Sequence, residues 1–364
     1  MILPKLTVRR VRTHAIEVPM RRPLGTSAAL MQSAPFVLVE IETEEGITGR
    51  AHAFCYLAAA APMIRRIVTM AGEAIAGGAV DPHAIGASLS ARFRLLGVHG
   101  VVAMGLSALD VACWDALATA AGVPLADYLG AQRAAVAAYN SNGLSLKEPE
   151  CLGSEALALL EPGFGAVKIR LGRVDHERDL AAVEAVRSAI PADTVLMADY
   201  NQALTVTEAL ERGAALEGAG LCWIEEPVAA DDLPGCARVA AALDTPVQIG
   251  ENFYGPNTVA AALAARSADY LMFDLMRIGG VTGWLAASKL AGEAGIPVSS
   301  HLYPEVSVHL LAASDSAHWI EYVDWAEPFL EVPLRLHYGK ISVPNEPGTG
   351  VRWDAAALRR YSID

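Results

Sequence analysis

The chain is poor in basic residues. Of 364 residues, 28 are Lys or Arg and 41 are Asp or Glu, giving a net charge of −13. Non-specific binding to nucleic acid or to an anionic membrane needs basic patches, so neither partner is expected. Cysteine is scarce as well. Cys55, Cys113, Cys151, Cys222 and Cys236 are odd in number and scattered, with no CxxC pair and no Cys/His zinc spacing. They read as reduced thiols of a cytoplasmic protein. Residues 1–12 alternate apolar and basic side chains like a strand, and lack the apolar stretch and cleavage site of an export signal. No apolar run is expected to be long enough to span a bilayer. No G-x-G-x-x-G follows an early strand, which weakens a dinucleotide-binding reading.

What the chain has in quantity is core material. Apolar residues make up 53% and charged residues 19%. The length exceeds an average domain of about 150 residues, so one large domain plus a smaller one is expected. Residues 1–50 read as strands, with FVLVEIET and ITGRAHAF forming a hairpin that turns at Glu44-Glu45-Gly46. Residues 62–122 carry apolar residues at helical steps, and Gly122 followed by Pro124 suits a helix end. Together these predict an α+β domain over 1–130.

After Leu129-Gly130 the pattern changes to short apolar runs alternating with helical stretches. The runs are VAAYNSN (136–142), AVKIRL (166–171), VLMADYN (195–201), LCWIEEP (221–227), VQIGEN (247–252), YLMFDL (270–275), VSSHL (298–302) and HWIEY (318–322). Eight strand candidates at this spacing fit a closed α/β barrel over 131–329 better than an open sheet. Residues 330–364 show no further βα unit and are expected to pack back on the N-terminal domain.

Several runs end in an acid: Asp199, then Glu225, then Glu251, with 225 − 199 = 26 and 251 − 225 = 26. Strand C-termini of a barrel converge on one mouth. Three carboxylates there repel by about 4 kcal/mol per pair at 4 Å and an effective dielectric of 20, which calls for a bound cation. All-oxygen ligands select a hard ion, Mg²⁺ first. Glu226 and Asn201 lie beside these ligands and are expected to support them. Lys168 and Arg170, two apart on one strand, share a face. Pointing into the mouth they would hold a substrate carboxylate, or they could partner Glu225 or Glu226. Asp274 and His301 end adjacent candidate strands, an acid beside a histidine able to act as base and then acid. Glu321 follows the apolar run HWI, where a carboxyl can stay protonated and donate a hydrogen bond to developing charge. Together these residues describe Mg²⁺-dependent removal of the α-proton of a carboxylate substrate, with charge moving onto an ene-diolate.

The sequence resembles the enolase superfamily, and within it the mandelate racemase-like subgroup of the mandelate racemase and muconate lactonizing enzyme family. The resemblance runs through AVKIRLG, MADYNQ, WIEEP, GEN, IGGVTGW, IPVSSHL, HLLAA and HWIE, in order and at the family's spacing. It implies a capping α+β domain on a modified (β/α)₇β TIM barrel and an essential Mg²⁺ on Asp199, Glu225 and Glu251. It further implies a His301–Asp274 dyad, Lys168 as a carboxylate contact and Glu321 as a hydrogen-bonding acid. The same resemblance implies a homo-oligomer, octamer or dimer.

One position departs from the pattern. Where mandelate racemase has a second lysine as base, this chain has Arg170, whose guanidinium is effectively always protonated. That change argues for His301 as sole base and for dehydration of an acid sugar. The cap argues the other way. The loop PLGTSAALMQSAPF (23–36), Phe54, Tyr56, Leu302 and Val323 give an apolar mouth suited to an aryl or alkyl 2-hydroxy acid. Tyr139 and Ser141 could contact the substrate or be plain strand residues. The whole-chain resemblance and the cap narrowly favour a racemase or epimerase of an apolar 2-hydroxy acid. The alternatives are an acid-sugar hydro-lyase and a metal-dependent carboxylate-binding protein with little activity.

Overall fold

The computed structural model describes residues 5–363, so the strand expected over 1–12 is described only from residue 5 onward. β1 (Val8–Gly25), β2 (Leu30–Thr43) and β3 (Thr48–Phe54) form an antiparallel sheet in that order. The β2–β3 turn falls at the predicted residues, where the Thr43 N–H donates to the Ile47 carbonyl at 2.9 Å. Helix α1 (Ala61–Ile75) buries Ile64, Val68, Ala71 and Ile75, at three- and four-residue steps. Helix α2 (Pro82–Phe93) begins at Asp81, whose carboxylate accepts the Ala84 N–H at 3.1 Å. Helix α3 (Gly100–Ala121) ends at Gly122, whose φ of +71° closes the last turn. One expectation is corrected here. α3 is long and apolar enough to cross a bilayer, but 83% of its most apolar window is buried inside the fold.

After α4 (Leu125–Tyr128) come the strands β4 (Ala135–Asn140), β5 (Ala166–Arg170), β6 (Val195–Asp199), β7 (Leu221–Glu225), β8 (Val247–Ile249), β9 (Tyr270–Asp274), β10 (Val298–His301) and β11 (Ala317–Tyr322). They are parallel neighbours in sequence order, and β11 pairs back on β4 through Glu321 and Tyr139, which closes the barrel. All eight predicted runs are barrel strands. Helices follow the first seven strands: α5 (Pro149–Leu160), α6 (His176–Ala189), α7 (Val206–Leu216), α8 (Leu233–Ala242), α9 (Pro256–Ala265), α10 (Leu275–Ile278) with α11 (Gly280–Glu293), and α12 (Pro304–Ala312). That is the (β/α)₇β pattern. With side chains inside and helices outside, β5 is buried along its whole length.

The C-terminal segment divides its contacts. β12 (Leu336–His337) and β13 (Lys340–Ser342) form a hairpin, and β13 runs antiparallel beside β4 of the barrel. Helix α13 (Ala355–Tyr361) lies against β1, and the Ile363 N–H donates to the Ala15 carbonyl. Two buried groups tie the helices before the barrel, and the C-terminal segment, to the barrel helices. Asp110 of α3 accepts the Thr282 N–H at 2.9 Å in the first turn of α11. His309 of α12 accepts the Ala126 N–H on Nδ1 and donates from Nε2 to the Thr349 carbonyl, both at 3.1 Å.

Candidate active site

Strand register brings the predicted residues to one mouth. Asp199 pairs with Arg170 on one side and Glu225 on the other, and His301 pairs with Asp274. Glu251 sits two residues beyond β8, in the turn that follows it. One carboxylate oxygen from each of Asp199, Glu225 and Glu251 lies within 4.8 Å of the others, and all three residues are buried. The Asn201 N–H and amide group donate to the two Asp199 oxygens at 2.8 and 3.1 Å. Trp223 Nε1 and Gln248 Nε2 donate to Glu225.

Lys168 reaches into this cluster. Its Nζ lies 2.6 Å from Glu225, 3.2 Å from Asp199 and 2.8 Å from Glu321. Burial opposes its charge, but Glu225 and Glu321 outweigh that and hold the ammonium above its ordinary value. Burial pushes Glu225 up to about 8; Lys168 opposes this, while Asp199, Glu321 and Glu251 add to it. Glu226, which accepts the Asn252 amide at 2.9 Å, is likewise raised by burial and by Glu251. The cluster is therefore short of positive charge. Asn201 Oδ1 beside it is buried without a partner. Crowded, hard oxygen donors and an unfilled acceptor fit Mg²⁺.

His301 donates from Nδ1 to Asp274 Oδ2 at 2.8 Å, leaving Nε2 3.4 Å from Glu251. Asp274 Oδ1 is fixed by the Met276 and Arg277 N–H groups, and its Oδ2 also accepts the Tyr56 hydroxyl at 3.3 Å. Burial works against the imidazolium, yet Glu251, the Asp274 hydrogen bond and Glu321 push His301 up to about 9.

Glu321 differs from expectation. Everything that touches it is a donor or a cation: the Ser141 hydroxyl at 2.6 Å, the Leu302 N–H at 3.0 Å and Lys168. Burial favours the neutral acid, but Lys168, His301 and Arg170 outweigh it and hold Glu321 well below the usual carboxylate range. Its oxygens accept in this geometry, and its surroundings favour the carboxylate over the protonated donor expected from the sequence.

Arg170 is turned to the backbone. Nη1 donates to the Ser141 and Gly143 carbonyls at 2.8 and 3.1 Å, Nη2 to the Ser141 hydroxyl at 2.7 Å, and Nε is buried without a partner.

A cavity of about 230 Å³ opens above these groups. Phe54, Leu302, Trp325, Leu24 and Met31 form an apolar wall, with Tyr56 beside it; Asn201, Gln202, Glu226, Asn252 and Arg277 form a polar one. Tyr139 and Ser141 do not line it. Tyr139 is fully buried in the barrel with Lys168 over its ring at 5.6 Å, and Ser141 acts only on Glu321 and Arg170. Val323 stands behind the apolar wall in a smaller cavity. Sequence reasoning missed Gln202, Asn252, Arg277 and Trp325. Arg277 lies over the Tyr56 ring at 4.7 Å and donates to the Glu251 carbonyl at 3.0 Å. Its position three residues after Asp274, one turn along α10, was the available signal.

Comparison with known proteins agrees with this geometry. Residues 8–130 match the mandelate racemase/muconate lactonizing enzyme N-terminal domain, and residues 152–357 the enolase C-terminal domain-like family. An enolase from alpha proteobacterium BAL199, crystallised with bound magnesium, is 40% identical with a TM-score of 0.96, covering 98% of this chain and 100% of its own. A Bradyrhizobium enolase complexed with magnesium and mandelic acid is 37% identical with a TM-score of 0.94, covering 100% of both chains. The L-talarate/galactarate dehydratase of Salmonella typhimurium is 28% identical, over 94% of this chain and 88% of its own. Mg²⁺ is the metal to which the donor set and these neighbours point. The chain is an enzyme of the enolase superfamily, in its mandelate racemase/muconate lactonizing enzyme family.

Proposed function

We propose that the protein removes the α-proton of a small 2-hydroxy carboxylate from one face only, and that with a 3-hydroxyl present the outcome is dehydration to a 2-keto acid. The observation that carries this reading is Arg170. Its guanidinium donates to Ser141 and Gly143 and offers no basic lone pair, so the face opposite His301 lacks a base.

Asp199, Glu225 and Glu251 would hold Mg²⁺, which when bound supplies charge stabilisation for the substrate carboxylate. Lys168, anchored between Glu225 and Glu321, offers its ammonium to the same carboxylate as charge grows there. The neutral His301 ring takes the proton on Nε2, a form that a cation on Glu251 would favour by offsetting the carboxylate charge that holds the ring protonated, and Asp274 on Nδ1 orients the ring and supports its charge. The C3–O bond then breaks, and the leaving hydroxyl departs as water with the proton that His301 carries. The enol left behind tautomerises to the 2-keto acid. The polar wall of Asn201, Gln202, Asn252 and Arg277 supplies partners for the hydroxyls of such a substrate.

A second reading, an isomerase of an apolar 2-hydroxy acid, is favoured by the wall of Phe54, Leu302 and Trp325 and by the mandelic acid bound to the Bradyrhizobium relative. Steady-state assays of keto-acid formation from a panel of 2,3-dihydroxy acids, beside polarimetry of single-enantiomer aryl and alkyl 2-hydroxy acids, separate the two. Keto acid with retained rotation supports dehydration. Loss of rotation without keto acid supports isomerisation and overturns the one-face reading.

A further inference from the structure

The tip of the β1–β2 hairpin, residues 26–29, lies over the cavity, which Thr26, Ala28 and Ala29 help to line. Its neighbour Ser27 points elsewhere. The Ser27 hydroxyl donates to the Tyr200 carbonyl at 2.9 Å and lies 3.3 Å from the Asn201 carbonyl. Those two carbonyls belong to the loop that orients Asp199. The Asn201 N–H and amide fix both Asp199 oxygens, and Asn201 and Gln202 hold φ values of +46° and +66°. Non-glycine residues keep that left-handed backbone only where surrounding bonds over-determine it. The Gln202 N–H donates to the Glu226 carbonyl at 2.8 Å from one side, and Ser27 holds the loop from the other.

The seat for Ser27 depends on Gly172. A Cβ at position 172 would stand 2.9 Å from the Ala203 Cβ and 3.2 Å from the Ser27 Cβ. With no side chain there, the hairpin tip comes close enough to reach the loop.

We propose that Ser27 is a positioning residue that couples closure of the hairpin tip to the orientation of Asp199, so that divalent-cation binding and tip closure reinforce each other. This rests on Asp199 as a metal ligand. Coupling between two sites is reciprocal in binding free energy, so a cation that favours one loop geometry must also favour the seated tip. Ser27 itself is exposed and carries no part of the core, so its loss leaves the fold intact.

The test uses MgCl₂ alone. Calorimetric titration and hydrogen exchange of the peptide spanning 24–32 are measured on wild type, Ser27→Ala and Ser27→Thr. Ser27→Ala should raise the Mg²⁺ dissociation constant about three- to tenfold, the worth of one hydrogen bond. Mg²⁺ should slow exchange of the hairpin tip in wild type and in Ser27→Thr, which keeps the hydroxyl, and not in Ser27→Ala. Unaltered Mg²⁺ affinity in Ser27→Ala, or tip exchange in wild type that ignores Mg²⁺, overturns the coupling alone. Wild type that binds no Mg²⁺ overturns the ligand assignment, and the coupling with it.

Discussion

Arg170 and Ser141 are joined twice: Nη1 donates to the Ser141 carbonyl at 2.8 Å and Nη2 to its hydroxyl at 2.7 Å. The same hydroxyl donates to Glu321 at 2.6 Å, so the guanidinium, the serine and the carboxylate form one fixed chain. Arg170→Lys replaces a permanent donor with an amine that can lose its proton. The variant should exchange the α-hydrogen of the enantiomer that wild type leaves alone, at least about tenfold above the wild-type background, as read by NMR in D₂O. No gain would mean that position 170 does not face the α-carbon.

His301→Asn removes the proposed base while leaving the acidic cluster in place. α-Hydrogen exchange should fall by about 10²- to 10⁴-fold, with Mg²⁺ affinity measured by calorimetry retained. Asp274→Asn should fall in the same direction, because the ring loses its orienting carboxylate at 2.8 Å. Exchange near the wild-type rate in His301→Asn would transfer the base role elsewhere.

Much of this arrangement is legible in the chain itself. The barrel strands announce themselves as buried apolar runs, and their ends carry the acids because all strand C-termini share one face. That logic finds Asp199 in register with Glu225 and Asp274 in register with His301. It fails where no period exists. Gln202 and Asn252 sit on the turns after strands, Arg277 sits on the four-residue helix α10, and the β12–β13 hairpin is only five residues in extended form. It fails too for depth. The alternation of β4 does not reveal that Tyr139 lies in a layer below the cavity, beneath Lys168. The ionised form of Glu321 is favoured by a lysine six strands earlier in sequence order but only two strands away around the closed barrel, a contact that exists only once the barrel closes.

The carboxylate cluster gives a stability prediction. A ligand that binds only the folded state, at about 100 times its dissociation constant, adds about 2.7 kcal/mol. Mg²⁺ should raise the melting temperature of wild type and leave that of Glu225→Gln nearly unmoved, in paired calorimetric scans. An equal rise in both proteins would remove Glu225 from the ligand set.

His309 gives a pH prediction. Burial lowers its pKa from the ordinary 6.5 to about 4, and the hydrogen bond to the Thr349 carbonyl only partly opposes this. The ring is neutral in the fold, with Nδ1 accepting from Ala126 and Nε2 donating to Thr349. A base with a depressed pKa binds fewer protons folded than unfolded, so its stability contribution is full above pH 6.5 and is lost as pH falls toward 4. The loss amounts to about 3 kcal/mol at 1.36 kcal/mol per unit. Urea unfolding between pH 7 and 4 should show this slope in wild type and a shallower one in His309→Gln. Parallel slopes would mean that His309 is not titrating between the two states.

The most direct measurement is α-hydrogen exchange on separated enantiomers of one accepted 2-hydroxy acid, in D₂O with Mg²⁺, followed by NMR. With His301 as the only base, deuterium enters one enantiomer and the other stays protonated, with its rotation preserved. Deuterium entering both enantiomers at comparable rates, with rotation decaying to zero, would show a second base on the Arg170 face and contradict one-sided proton abstraction.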